Sequence, residues 1–210
     1  MKKLTLVMAL LVAIGSTNAI AQKAQKAAPA AAATPTKWVL DPAHSTVKFS
    51  VSHLTVSEVE GNFKLFNGSV DATSADFNNA KVDFSVDVNS INTDNEMRDK
   101  HLKSDDFFNA EKFPKMTLTN ATLKKVKANT YTLEGDLTIR DVTKKVKFTV
   151  TGGNTMVDPW KNTKTGFKAT GKISRKAYNL KWNTLTEAGG AVVGDEVTIV
   201  INVELAQQKS

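Results

Sequence analysis

Val82-Asp83-Phe84-Ser85-Val86-Asp87-Val88 carries an apolar residue at every second position, with an acid or a serine between. Successive side chains of an extended chain point to opposite faces, so a period of two means one face buried and one face wetted. The same period recurs outward from this run. Val47, Phe49 and Val51 open a first segment, and Val197, Ile199, Ile201, Val203 and Leu205 close the last. Eight segments read as strands in this way: 45–54, 61–72, 81–91, 115–125, 130–139, 144–151, 165–174 and 196–205. In the second of them the alternation slips at Leu65-Phe66, where a bulge restores it. The links 73–79, 126–129 and 140–143 are short and turn-rich, so strands adjacent in sequence should pair in space. Eight antiparallel strands with one apolar face each hide all those faces, and leave no edge, by closing on themselves. The expected fold is all-β: an eight-stranded antiparallel up-and-down barrel with a short helix capping one end. A barrel of that size either packs its centre solid or holds one small ligand there.

One segment breaks the period. Thr93-Asp94-Asn95-Glu96 has the spacing of a capping box, so a helix should start there. Met97, His101 and Phe108 then fall on one helical face, and Pro114 bounds the segment. If the first strand runs toward one end, called the mouth, then strand counting brings 55–60, 92–114, 140–143 and 175–195 to that same end. Long connections in a compact domain tend to be lids or binding loops. Strand parity adds two polar residues that point inward near the mouth. His53 continues the series of Val47, Phe49 and Val51, and Arg175 continues that of Phe167, Ala169, Gly171 and Ile173. An apolar tube with a few polar groups at its entrance suits an amphiphile with a long tail.

The chain opens with Lys2 and Lys3, an apolar stretch from Leu4 to Ile14, and Ala19-Ile20-Ala21, the pattern of a secretory signal peptide over 1–21. Residues 22–36 are almost all Ala, Gln, Lys, Thr and Pro and read as a disordered linker. Residues 37–210 make one domain by length. The protein is therefore expected outside the cytoplasm, periplasmic or secreted. It has no cysteine, so stability must come from core packing. The net charge of +7 comes from 28 basic and 21 acidic residues. Five of the bases precede Trp38 and all the acids follow it, which leaves 23 against 21 in the domain. Lys124, Lys125 and Lys127 lie at one hairpin and Lys144, Lys145 and Lys147 at the next, at opposite barrel ends. Such lysines keep a strand-rich protein soluble and form no single patch for nucleic acid.

Several stretches together resemble the YceI-like family of exported, lipocalin-like proteins that bind polyisoprenoid chains. They are Trp38-Val-Leu-Asp41-Pro-Ala-His44-Ser45-Thr-Val47-Lys-Phe49 with His53-Leu54, Gly61-Asn62-Phe63, and Arg98-Asp99-Lys-His101-Leu102-Lys-Ser-Asp105-Asp-Phe107-Phe108. Phe113-Pro114, Gly135-Asp136-Leu137-Thr138-Ile139 with Val142-Thr143-Lys144, and Ile173-Ser174-Arg175 complete the set. The resemblance implies a cavity for a long isoprenoid tail, as of a polyprenyl phosphate or a quinone.

On this reading the tail lies among Phe49, Val51, Phe84, Val86, Leu118, Leu137, Phe148, Phe167, Ala169 and Gly171. The small Ala169, Gly171 and Gly135 either spare room in the lumen or mark bends that closure needs. His53, Arg98, His101 and Arg175 are the candidates for a head group at the mouth, with anchoring of the helix over the mouth the favoured alternative for Arg98 and His101. An inward charge needs a partner, and Asp99, Asp105 or an acidic loop residue would serve. His44 is expected to make a structural hydrogen bond. The sequence shows no zinc-type spacing, no Gly-x-Ser-x-Gly elbow and no phosphate-cradling loop, so neither metal nor cofactor nor catalytic residue is assigned. Gly152-Gly153 and Gly189-Gly190 read as turns. The leading expectation is an exported carrier of an isoprenoid or other long-chain lipid, with transient contact to a membrane or membrane protein and an oligomeric state left open, a dimer included. The alternatives are a solid-core barrel acting through a protein partner, and an enzyme on a lipid or quinone head group that depends on His53 or His101.

Overall fold

The computed structural model describes residues 34–184 and 192–209. The leader, most of the linker and Gly189-Gly190 lie outside the described residues. The strands are β1 (Thr36–His53), β2 (Ser57–Phe63), β3 (Phe66–Ala72), β4 (Ala80–Asp87), β5 (Ile91–Asn92), β6 (Lys115–Lys127), β7 (Thr130–Ile139), β8 (Val142–Val157), β9 (Thr163–Ser174) and β10 (Val193–Gln207). One helix, α1 (Glu96–Lys103), stands among the described residues besides two short 3-10 turns. Antiparallel pairing runs β1–β3–β4–β6–β7–β8–β9–β10 and returns from β10 to β1, which closes an eight-strand barrel.

Two of the eight strands expected from the alternation are broken. The segment read as 61–72 is β2 plus β3, parted at Lys64-Leu65; β2 pairs with the second half of β1 and β3 with the first. The segment read as 81–91 is β4, a 3-10 turn over Val88–Ser90, and β5, which pairs with β2. At both breaks the period of two gives way to a spacing of three, from Phe63 to Phe66 with Leu65 exposed, and from Val88 to Ile91 across the 3-10 turn. Strand β1 begins at Thr36 and runs 18 residues. Its pairing with β10 shifts between Asp41 and Thr46, where the four residues Pro42 to Ser45 bulge opposite the single residue Val203. Pro42 has no N–H to give a ladder and suits this bulge. The Ser45 hydroxyl donates to the Asp41 carbonyl at 2.6 Å and accepts the Glu204 N–H at 3.0 Å, so the bulge leaves no orphaned pair there. Gly152-Gly153, read as a turn, sits instead inside β8. Both residues have positive φ, and the pairing with β9 shifts register between Gly152 and Thr155.

The end opposite the mouth is sealed by aromatic packing. Phe77, in the link between β3 and β4, is 1% exposed. Its ring lies 5.2 Å from Trp38 and 5.1 Å from Phe167, and Phe167 is 5.9 Å from Tyr131. The Tyr131 hydroxyl donates to the Asp76 carbonyl at 3.0 Å, which pins the link beneath the barrel.

Candidate functional site

The lumen is hollow. A deep chamber of about 140 Å³ lies among strand residues including Val70, Phe84, Leu118, Phe148, Phe167 and Val203, with Thr117 the one polar residue along it. A mouth chamber of about 520 Å³ lies above, bounded by strand ends, α1 and the segment before β10. The two share Phe63, Met116, Ile139 and Ile199 as walls. This explains the exposure of inward β10 residues: Val197, Ile199 and Ile201 are only half-buried because they face empty space.

The structure distributes the expected tail residues between the chambers. Phe49 and Val51 line the mouth chamber; Phe84, Val86, Leu118, Leu137, Phe148 and Phe167 line the deep one. Ala169 and Gly171 line neither, a correction to the sequence reading. A carbon added at Gly171 would stand 2.6 Å from Phe148 Cε1, so the room spared there is occupied by that ring. Gly135 likewise makes space for a neighbour, its missing Cβ standing 2.6 Å from Ala121 Cβ.

All four expected mouth residues border the upper chamber, but they do different work. Helix α1 starts near the expected place with a different cap. Asn95 accepts the Arg98 N–H at 3.0 Å, while Asp94 at φ 57° keeps Thr93 out of the cap position. Thr93 instead joins a polar knot. Its hydroxyl donates to Asp99 Oδ1 at 2.6 Å and accepts Arg98 Nε–H at 2.8 Å, and Arg98 Nη2 donates to the Thr93 carbonyl at 2.7 Å. Arg98 thus anchors the helix while bordering the chamber. The helix ends at Lys103, so Phe108 reaches the chamber from the following turns and not from the helical face. Met97, 82% exposed, forms part of the rim.

His101 pairs with Asp106 at 2.9 Å and stands edge-on to Phe107 and Trp182, at 5.1 and 5.0 Å. Phe107 and Trp182 in turn meet at 5.3 Å, so this aromatic trio clips the segment before β10 to that after α1. His53 has no side-chain hydrogen-bond partner among the described residues and faces the chamber.

Arg175 is only 4% exposed, and of the expected partners neither Asp99 nor Asp105 but Asp195, an acid of the expected mouth loop, acts on its charge, while its hydrogen bonds go to carbonyls. Nε donates to the Gly194 carbonyl at 2.7 Å, Nη1 to Leu180 and Trp182 at 2.6 and 2.8 Å, and Nη2 to Val193 at 3.1 Å. Burial pushes its pKa down and the nearby Asp195 pushes it back up. With four of its five N–H groups given to carbonyls, Arg175 staples both ends of the segment that precedes β10 while bordering the mouth chamber. Arg140, which sequence reasoning did not single out, does the same next door. It donates from Nη1 to the Asp105 and Phe107 carbonyls at 3.1 and 2.8 Å, and from Nη2 to Asp105 Oδ1 at 3.1 Å. Its signal in the sequence was slight: a lone arginine in a hairpin otherwise supplied with lysines.

Far from the mouth, Asp41, His44 and Glu204 come close enough to suggest a metal site. Lys164 already occupies the centre, its ammonium 3.1 Å from Asp41 and 2.9 Å from Glu204. His44 Nδ1 lies 3.0 Å from Asp41 Oδ2, the structural bond expected of it. These contacts, that of His44 first, hold the Asp41 carboxyl down to about 2. The cluster is an ion-pair knot that ties the β1 bulge to β9 and β10.

The YceI-like domain family matches residues 38–205. A UPF0312 protein of Staphylococcus aureus is 35% identical over 172 residues, which cover 81% of this chain and 98% of the relative. Among solved structures, the Campylobacter jejuni YCEI protein is 34% identical, covers 76% of this chain and 90% of that one, and superposes with a TM-score of 0.61. Two more distant structures share the fold. Burkholderia cenocepacia BcnA has a TM-score of 0.68 at 24% identity, covering 79% of this chain and 98% of its own. A polyisoprenoid binding domain from Saccharophagus degradans has 0.59 at 16%, with 81% and 98% covered. Spanning nearly the whole barrel, the family match and these relatives show that the chain belongs to the YceI-like family.

Proposed function

We propose that this protein is a carrier that holds an isoprenoid or other long-chain amphiphile in its lumen, tail inward and head group at the mouth. The observation that supports this most is the pair of contiguous chambers, the deep one apolar but for Thr117 and the upper one bringing polar side chains to one end. Burying an apolar tail is worth roughly 0.8 kcal/mol per CH₂ removed from water, so a tail threading both chambers gains most of its affinity there. The head group then meets His53, whose imidazole is uncommitted among the described residues, and the Arg98 edge of the chamber. The fold shared with a polyisoprenoid binding domain fits the same reading.

Binding is favoured over catalysis on the same lining. His101 and Asp106 form an imidazole–carboxylate pair at the rim, but no hydroxyl or water-activating group is bonded to that pair among the described residues. The hollow lumen likewise favours a carrier over a packed barrel working only through a protein partner. The leader-like 1–21 supports placing this activity outside the cytoplasm. Isothermal titration of delipidated protein with a prenol and with the prenyl phosphate of equal length tests the proposal. One-to-one binding of both, weakened for one head group by His53→Ala, is the expected result; absence of binding by either overturns it.

A further inference from the structure

Three inward phenylalanines share one arrangement, each ring lying over a glycine of the facing strand. Phe49 pairs with Gly61 and Phe84 with Gly68, each directly across a strand pair. Phe148 faces Gly171, one step beyond the pairing of Thr149 with Thr170. The rings use the absent side chains. A carbon added at Gly61 would stand 2.8 Å from Phe49 Cε1, and one at Gly68 2.6 Å from Phe84 Cδ2. Opposed side chains on one sheet face normally stand about 4.5–5.5 Å apart at Cβ and project into the space above. Opposite a glycine, a ring can lie down along the wall and leave that space open.

We propose that these pairs set the bore of the lumen, and that Phe148 with Gly171 fixes how long a tail the deep chamber admits. The inference rests on the lipid-carrier reading and adds to it the residues that decide chain length. Volume supports the assignment. A cavity of about 150 Å³ accommodates a benzene ring, so one phenyl ring displaced from the wall would fill a chamber of about 140 Å³. Displaced from Gly171, the ring has nowhere else to go. Leu133 across β7 and Val150 ahead on β8 are both buried against it, and the open side is the chamber.

Gly171→Ala makes the test. Its backbone φ lies outside the range that strains an L residue, so the added methyl acts through the ring. Delipidated wild-type protein and the variant are titrated with farnesol, geranylgeraniol and decaprenol. The expected result is a loss of about tenfold for decaprenol, worth about 1.4 kcal/mol, with farnesol held within about twofold. Gly171→Ala/Phe148→Leu, which relieves the contact, restores decaprenol binding. Equal loss at every length, or no change at any length, overturns the proposal. So does a crystal structure of Gly171→Ala in which the Phe148 ring still lies flat on β9. If Gly171→Ala does not fold, Phe148→Leu alone decides: a shift of preference toward decaprenol supports the proposal and an unchanged profile overturns it. If wild-type protein takes up none of the three, the carrier reading falls, and this inference falls with it.

Discussion

The two ends of the barrel are built by opposite means. The closed end is sealed by Trp38, Phe77, Phe167 and Tyr131, rings packed on rings, with the link beneath tied by the Tyr131 hydroxyl, the Lys125–Asp76 ion pair and the Asn79 N–H bond to the Leu123 carbonyl. The mouth is held by Arg140 and Arg175, whose guanidinium groups gather backbone carbonyls from segments on different sides of the opening. Packed rings fill the space they stabilise. A guanidinium clamps chain segments from the side and leaves the space between them free, so the same barrel is solid at one end and open at the other.

The largest expected effect in breaking this contrast is at the seal. Phe77→Ala removes a ring that is 1% exposed and should cost about 3–5 kcal/mol in urea unfolding. A loss under about 1 kcal/mol would mean that the closed end does not depend on this plug. Next comes the staple. Arg175→Met leaves four carbonyls without their donor, and a buried group left unsatisfied costs roughly 1–3 kcal/mol. The expected signature is faster amide hydrogen exchange confined to residues near 180–182 and 193–195, with β6 and β7 unchanged. Uniform acceleration across the barrel would make Arg175 a general core residue and erase the distinction between the ends.

A smaller effect separates clip from cavity. Trp182→Ala removes the ring that meets both His101 and Phe107, and it lines the mouth chamber. Amphiphile affinity should fall about tenfold while the unfolding midpoint barely moves. Equal losses of stability and affinity would place Trp182 with the seal.

The smallest concerns acid. Asp41 is held at about 2 by His44 and Lys164, below the 3.8 of a free carboxyl. A carboxylate whose folded pKa is depressed stabilises the fold above its unfolded pKa, and that stability is lost as pH falls toward the folded value. Lys164→Met should therefore flatten the fall in unfolding free energy between about pH 4 and pH 2. An unchanged acid limb would show that the knot at the β1 bulge adds nothing.

How far these ends were legible in the sequence follows from what each kind of contact writes there. Strand parity placed Phe84, Leu118 and Phe148 on the inner face because a period of two survives in any sequence that must bury one side. It could not show that the Phe148 ring lies over Gly171, since parity gives the face and not the rotamer. The slip at Leu65-Phe66 is legible but reads as a bulge within one strand, and the turn at Val88–Ser90 is hidden because the apolar Val88 and Ile91 bound it and are both buried. Phe77 was hidden as a lone aromatic among turn residues, and only its contrast with Asp76, Asn78 and Asn79 hinted at burial. For Arg175, inward direction was readable, yet its partners were not. Backbone carbonyls are common to every residue and leave no mark in the sequence.

The most direct test of a lumen built to stay open is its content. Mass spectrometry of the organic extract from protein purified without detergent, from the host that naturally makes it, should find a long-chain amphiphile near one equivalent per chain, an isoprenoid foremost. A clean extract from protein that also fails to take up added prenols would contradict the account.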